Sequence, residues 1–166
     1  AGGCVVPLDY LAPRDVVKAV ERHAITTLAA VPPLWVQLTE LDWPSETAAR
    51  LRRLTNSGGA LTEDLVRKLR ALFPQARLFP MYGLTEAFRS TYLDPALVDS
   101  HPTSMGKAIP HAEILVVNDR GEIADLGPEQ ARERGDRRRH VVRVFGNQHE
   151  VERRAIVDDD VAVAVE

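Results

Sequence analysis

The chain has 166 residues, 45% of them hydrophobic and 27% charged, which is the mixture of a folded globular protein and not of a disordered one. Its formal charge of −3, with no basic stripe interleaved with aromatics, excludes a nucleic-acid partner held by a general electrostatic field. No apolar run reaches the roughly 20 residues needed to span a bilayer, and no charged segment followed by an apolar signal core opens the sequence, so no transmembrane segment and a cytoplasmic location are expected.

The lone Cys4 has no partner for an internal disulfide and no nearby histidine to activate it, so a buried structural thiol is expected. The five histidines, His23, His101, His111, His140 and His149, lack metal-ligand spacing, and no metal is assigned to them.

In chain order, "PRDVVKAVERH" places Val16, Val17 and Val20 at helical spacing behind a proline suited to a helix start. The short apolar "AITTLAAV" reads as a buried strand stopped at Pro32-Pro33, with a second helix through "LWVQLTEL". "LRRLTNSGGAL" reads as a strand ending in a glycine turn, "TEDLVRKLRALF" as an amphipathic helix and "ARLFPMYG" as a third strand. Strands alternating with helices predict an α/β fold with a mostly parallel sheet and helical crossovers. Both the "NSGGA" and the "MYGLTE" turns then fall beyond the carboxyl ends of strands, where open sheets of this kind bind ligands.

Beyond a short helix from Thr85, "LDPALVDSHPTSMGKAIPHA" reads as loop. "EILVVNDRGEI" follows as a strand and an Asp-Arg-Gly turn leading to a hairpin, an antiparallel β extension. The charge-rich "EQARERGDRRRHVVR" reads as a solvated linker or exposed helix. The expected division is residues 1–128 as one partial domain and 129–166 as a linker with a shortened hinge or lid remnant.

"SGGALTEDLVRKLRALFPQARLFPMYGLTEA" resembles the AMP-forming acyl-CoA ligases of the adenylate-forming superfamily, with "RHAITTLAAVPPLWVQL" upstream and "SMGKAIPHAEILVVNDRGE" downstream in the family's order. The extended "MYGLTEAFRSTYL" and "VPPLWVQL" are most similar to ligases associated with exosortase and exopolysaccharide gene clusters.

The resemblance implies a set of ligand roles. Tyr82 would stack on the adenine of ATP or AMP, with Gly58, Gly59 and Ala60 as the opposite wall and Gly83 in the turn. Thr85 would bind the α-phosphate and Glu86 would hold Mg²⁺, making these two the catalytic candidates. Without the resemblance, ordinary cap chemistry accounts for Thr85, and Glu86 is a first-turn acid favourable to the helix dipole. Val31, Pro32, Pro33, Leu34 and Trp35 would shape the pocket of the carboxylic acid substrate or fill an ordinary core. Coenzyme A would be the co-substrate that accepts the acyl group.

The sequence also departs from the pattern. It holds no Ser/Thr/Gly-rich phosphate loop ending in lysine and no Tyr-x-Thr-Gly-Asp, and its lysines are Lys18, Lys68 and Lys107, none in a lid-type motif. An enzyme portion that is inactive in isolation and a non-catalytic adenine-nucleotide-binding fragment or pseudo-enzyme are both compatible with that inventory. An amino-acid adenylation domain is a third possibility.

Overall fold

The computed structural model describes residues 3–83, 89–117, 139–144, 154–158 and 161–165. Helix α1 (Pro13–Arg22) starts at a proline, and the Asp15 carboxylate reaches back 3.2 Å to accept from the Ala12 amide. That bond, followed by the one to Lys18, holds the Asp15 carboxyl below the ordinary carboxylate range. Strand β1 (Thr27–Ala30) leads into α2 (Pro32–Thr39), again entered through a proline, and α3 (Ser45–Arg50) follows. The sequence reading did not anticipate α3, since six residues of "SETAAR" carry too little apolar periodicity to register.

Next come β2 (Arg53–Asn56), α4 (Glu63–Leu72) and β3 (Arg77–Tyr82). Thr62 caps α4 by accepting from the Leu65 amide at 3.2 Å, one of the orphan donors every helix start must satisfy.

Strands β1, β2 and β3 lie side by side and parallel, with Ala30, Asn56 and Pro80 in register at one level. Two short antiparallel strands, β4 (Thr91–Tyr92) and β5 (Lys107–Ala108), complete a five-stranded sheet in sequential order. The parallel ladders run four residues each and the antiparallel ones two, so the sheet is mixed but mostly parallel, as expected. Helices α1, α2 and α4 send Val16, Val20, Trp35, Leu38, Leu65 and Leu69 into one core against Ala30, Leu54 and Leu78. The other face shows Thr27, Ala29, Arg53 and Arg77 to solvent, with the Arg77 guanidinium 5.5 Å above the Phe79 ring.

The loop after β4 contains a 3-10 turn at Pro95–Leu97. Arg70 of α4 anchors it, donating through Nε and Nη2 to both oxygens of Asp99 at 3.1 and 3.0 Å. This two-pronged pairing fixes the loop more specifically than a single ammonium would.

A second, antiparallel sheet runs β6 (Ala112–Val117), β7 (Arg139–Val144), β8 (Arg154–Asp158) and β9 (Val161–Val165) in sequence order. The β extension is present, but the partner of β6 is β7, whose residues the sequence reading placed in a linker or exposed helix. The arginine run dominated that reading, whereas "RHVVRV" carries the β-branched residues that suit a pleated ladder. The Asp119-Arg120-Gly121 turn lies outside the described residues.

Cys4 also departs from expectation. It is exposed, because the segment before α1 lies in no regular element and leaves most of its side chains in solvent.

Candidate functional site

Because β1, β2 and β3 are parallel neighbours, the segments leaving them emerge at one edge of the sheet. Val31 and Pro32 leave β1, Ser57 to Ala60 leave β2, and β3 runs two residues past the common level to end at Tyr82. The sequence order alone thus brings to one edge the turns that begin at Val31 and at Ser57 and the tyrosine at position 82.

The first two turns are in contact. Gly58 has φ +77, a left-handed conformation that costs a side-chain-bearing residue energy. A β-carbon added at Gly58 would lie 3.2 Å from Val31 Cγ1, and one at Gly59 would lie 3.0 Å from Pro32 Cγ. The glycines therefore admit the Val31-Pro32 turn on one side, while Gly58, Gly59 and Ala60 remain exposed on the other. The Ser57 amide ties the turn to β1 by donating to the Ala30 carbonyl at 3.4 Å.

Asn56, the last residue of β2, is 1% exposed and supports the turn from below. Its Nδ2 donates to the Gly59 carbonyl at 2.8 Å. Since a carbonyl can only accept, the amide nitrogen must be the atom facing it, and this leaves Asn56 Oδ1 buried without a partner. One such bond is worth about 1 kcal/mol net, whereas a buried unsatisfied acceptor costs about 1–3 kcal/mol. On those magnitudes Asn56 adds little to stability and chiefly fixes the shape of the turn. Sequence reasoning passed over it, although an Asn at a strand end before two glycines is a turn signal in its own right.

Tyr82 ends β3, the next strand of the sheet. It pairs with Thr91 of β4 and is half-buried, with its hydroxyl enclosed and unpartnered. Burial pushes its pKa up to about 12 from 10.0. A raised folded-state value contributes stability that is complete below pH 10 and is lost as pH rises through about 12. We expect a high-pH component near 12 in a titration followed at 295 nm, absent in Tyr82→Phe. The same variant should lose less stability than the parent between pH 10 and 12.

Of the proposed pocket residues, Val31 and Pro33 are exposed, Pro32 and Leu34 are partly exposed, and Trp35 is fully buried in the core. Trp35 Nε1 has no partner. Gly83 is partly exposed after Tyr82, while Thr85 and Glu86 lie outside the described residues. Among the described residues no group of three or more His, Cys, Asp or Glu side chains could hold a metal ion, and no helix is long and apolar enough to cross a membrane.

The half-buried ring of Tyr82 and the exposed side-chain-free backbone at Gly58-Gly59 suit a flat heteroaromatic ligand, which offers area to a ring and demands no room for side chains. Comparisons with known proteins bear on the family and the fold. A family model described as "AMP-binding enzyme" matches residues 1–131. The chain is 29% identical over 150 residues to the chloroplastic/peroxisomal 2-succinylbenzoate–CoA ligase of Arabidopsis thaliana, covering 76% of this chain and 27% of that one. It is 32% identical over 137 residues to the vibriobactin-specific 2,3-dihydroxybenzoate-AMP ligase of Vibrio cholerae, covering 78% and 24%. It thus spans about a quarter of the length of these relatives. Among solved structures, the luciferase-like enzyme of the mealworm Zophobas morio superposes over 95% of this chain and 41% of its own, with a TM-score of 0.66 at 22% identity. The o-succinylbenzoate coenzyme A synthetase of Bacillus subtilis in complex with AMP covers 93% of this chain and 34% of its own, with a TM-score of 0.63 at 18% identity. At those identities the two superpositions bear on the fold.

Proposed function

Since this chain belongs to the AMP-binding enzyme family, whose model matches residues 1–131 of its 166, we propose that it is a portion of an ATP-dependent acyl-CoA ligase. Such an enzyme joins a carboxylic acid to AMP and then passes the acyl group to coenzyme A. The observation that supports this reading is that the Gly58-Gly59 turn and Tyr82 leave neighbouring parallel strands at the same carboxyl edge of the sheet.

In the first half-reaction a carboxylate oxygen of the substrate attacks the α-phosphorus of ATP. The bond to the bridging oxygen breaks and pyrophosphate leaves, giving an acyl-adenylate. The coenzyme A thiolate then attacks the acyl carbon and AMP departs. Tyr82 and the Gly58–Ala60 wall orient the base, and Thr85 offers its hydroxyl to the phosphate that stays with AMP. Glu86 supplies the hard oxygen by which Mg²⁺ would be held, and the ion would offset charge on the transferring phosphorus. Val31, Pro32, Pro33 and Leu34 border the acid, with Trp35 packed behind them.

We place the chain nearest the exosortase-associated ligases, on "MYGLTEAFRSTYL" and "VPPLWVQL", and in the cytoplasm. In this reading residues 1–128 are part of the nucleotide-binding domain, and 129–166, whose strands β7 to β9 continue the sheet that β6 begins, are a shortened hinge or lid remnant.

The reading is tested by titrating the purified 166-residue chain with ATP and by assaying ATP–pyrophosphate exchange with a panel of fatty and aryl acids. Binding without exchange is expected, because the sequence carries no phosphate-loop lysine and no lid lysine. Tyr82→Ala should weaken binding by about 1 kcal/mol through lost stacking area, and Tyr82→Phe should preserve it. Robust exchange by the isolated chain would overturn the claim of inactivity, and absence of ATP binding would overturn the adenine slot.

A further inference from the structure

We propose that Asn56 is a positioning residue for adenine-nucleotide binding, acting through the Gly58-Gly59 turn without touching the ligand. The inference rests on the adenine-slot reading above and extends it to a residue that reading leaves out. Three observations converge on it. Asn56 is 1% exposed, so it stays beneath the surface on which a base would lie. Its Nδ2 donates 2.8 Å to the carbonyl of Gly59, three residues ahead, closing the loop that carries the exposed wall. Its Oδ1 is buried with no partner, a cost that an apolar side chain of the same size would avoid.

Glycine makes this clamp necessary. Two adjacent glycines explore more backbone conformations than any other pair, so the turn left to itself would sample many shapes, only some of them open to a flat ring. Val31 and Pro32 limit the turn from the side, at 3.2 and 3.0 Å from where the glycine β-carbons would stand. Those contacts are apolar and fix no peptide orientation, whereas the Asn56 bond sets the direction of the Gly59 carbonyl. Holding the wall in its bound shape before ligand arrives lowers the ordering cost of binding.

The test uses the 166-residue chain and two variants, Asn56→Leu, which keeps the branched outline in a somewhat larger side chain and removes both polar atoms, and Asn56→Ala, which truncates the side chain. ATP affinity, thermal midpoint and amide hydrogen exchange of residues 58–60 are measured on each. For Asn56→Leu we expect a rise in Kd for ATP of roughly tenfold, the scale of one lost hydrogen bond. Faster exchange at the turn should accompany it, with a thermal midpoint equal to or above the parent's. Asn56→Ala should show the same loss of affinity and faster exchange with a lower midpoint.

An Asn56→Leu chain that binds ATP as the parent does overturns the positioning role alone. So does one whose midpoint falls while affinity and turn exchange hold, because that pattern marks a merely structural residue. A parent chain that binds no ATP overturns the adenine slot and the positioning role with it, a result distinguishable from the first two because it appears before any substitution is made.

Discussion

Replacing Gly106 by alanine is expected to destabilise the chain by about 3–5 kcal/mol, combining a left-handed backbone with an overpacked contact. Gly106 has φ +77, and an added β-carbon would overlap the Tyr92 carbonyl and stand 2.5 Å from Leu93 Cα. These neighbours are backbone, so no rotamer change can relieve the overlap. They are also held in place: Tyr92 pairs with Lys107 across β4 and β5, Thr91 Oγ1 donates to the Met105 carbonyl at 2.6 Å, and the Leu93 amide donates to the Pro80 carbonyl at 2.8 Å. For a chain of this size the thermal midpoint should fall by roughly 10 °C. Gly3→Ala is the control, since nothing lies within 4 Å of its added β-carbon.

The consequence reaches the candidate site through one strand. Thr91 of β4 is the partner of Tyr82, so pushing β4 away from the Gly106 loop shifts the residue that would stack on adenine. A folded Gly106→Ala chain should therefore also bind ATP more weakly than the parent. A midpoint within about 2 °C of the parent's, measured by circular dichroism, would show that the loop yields and that this packing is not rigid.

The parallel core was legible in the sequence because each of its elements announces itself locally. Val16 and Val20 recur at helical spacing, prolines stand where α1 and α2 begin, and Thr62 sits where α4 needs a cap. The short strands β4 and β5 carry no such signal. Two residues cannot show an alternation, and what holds them is the distant pairing of Thr91 with Tyr82 and with Ala108. The strand β7 was hidden for a different reason: its pairing with β6 spans more than twenty residues of charge-rich sequence, and local composition outweighed the β-branched pattern.

At the site, the sequence supplied the turns and the tyrosine, and parallel neighbours at one sheet edge follow from chain order. It could not supply the contact between Val31-Pro32 and Gly58-Gly59, which depends on how closely two adjacent strand ends approach. That contact alters the meaning of a glycine substitution. Gly59→Val would meet Pro32 as well as any base, so its effect on ATP binding is readable only beside a stability measurement.

Trp35→Ala is expected to cost about 3–5 kcal/mol, the range for emptying an aromatic site in a packed core. Trp35 is 0% exposed and belongs to the cluster that joins α1, α2 and α4 to the sheet. It also projects from the first turns of α2, directly after the Val31-Pro32 turn that contacts the glycines. Its Nε1 has no partner, so Trp35→Phe should cost distinctly less than Trp35→Ala, retaining a ring while removing an unsatisfied donor. The ordering of thermal midpoints separates a core role from a pocket-lining one. A core residue gives parent above Trp35→Phe above Trp35→Ala, with a spread of about 10 °C between the ends, while Pro33→Ala, at an exposed neighbour, stays near the parent. If Trp35→Ala instead melted with the parent, its indole would have to be reassigned from the core to a cavity wall that tolerates truncation.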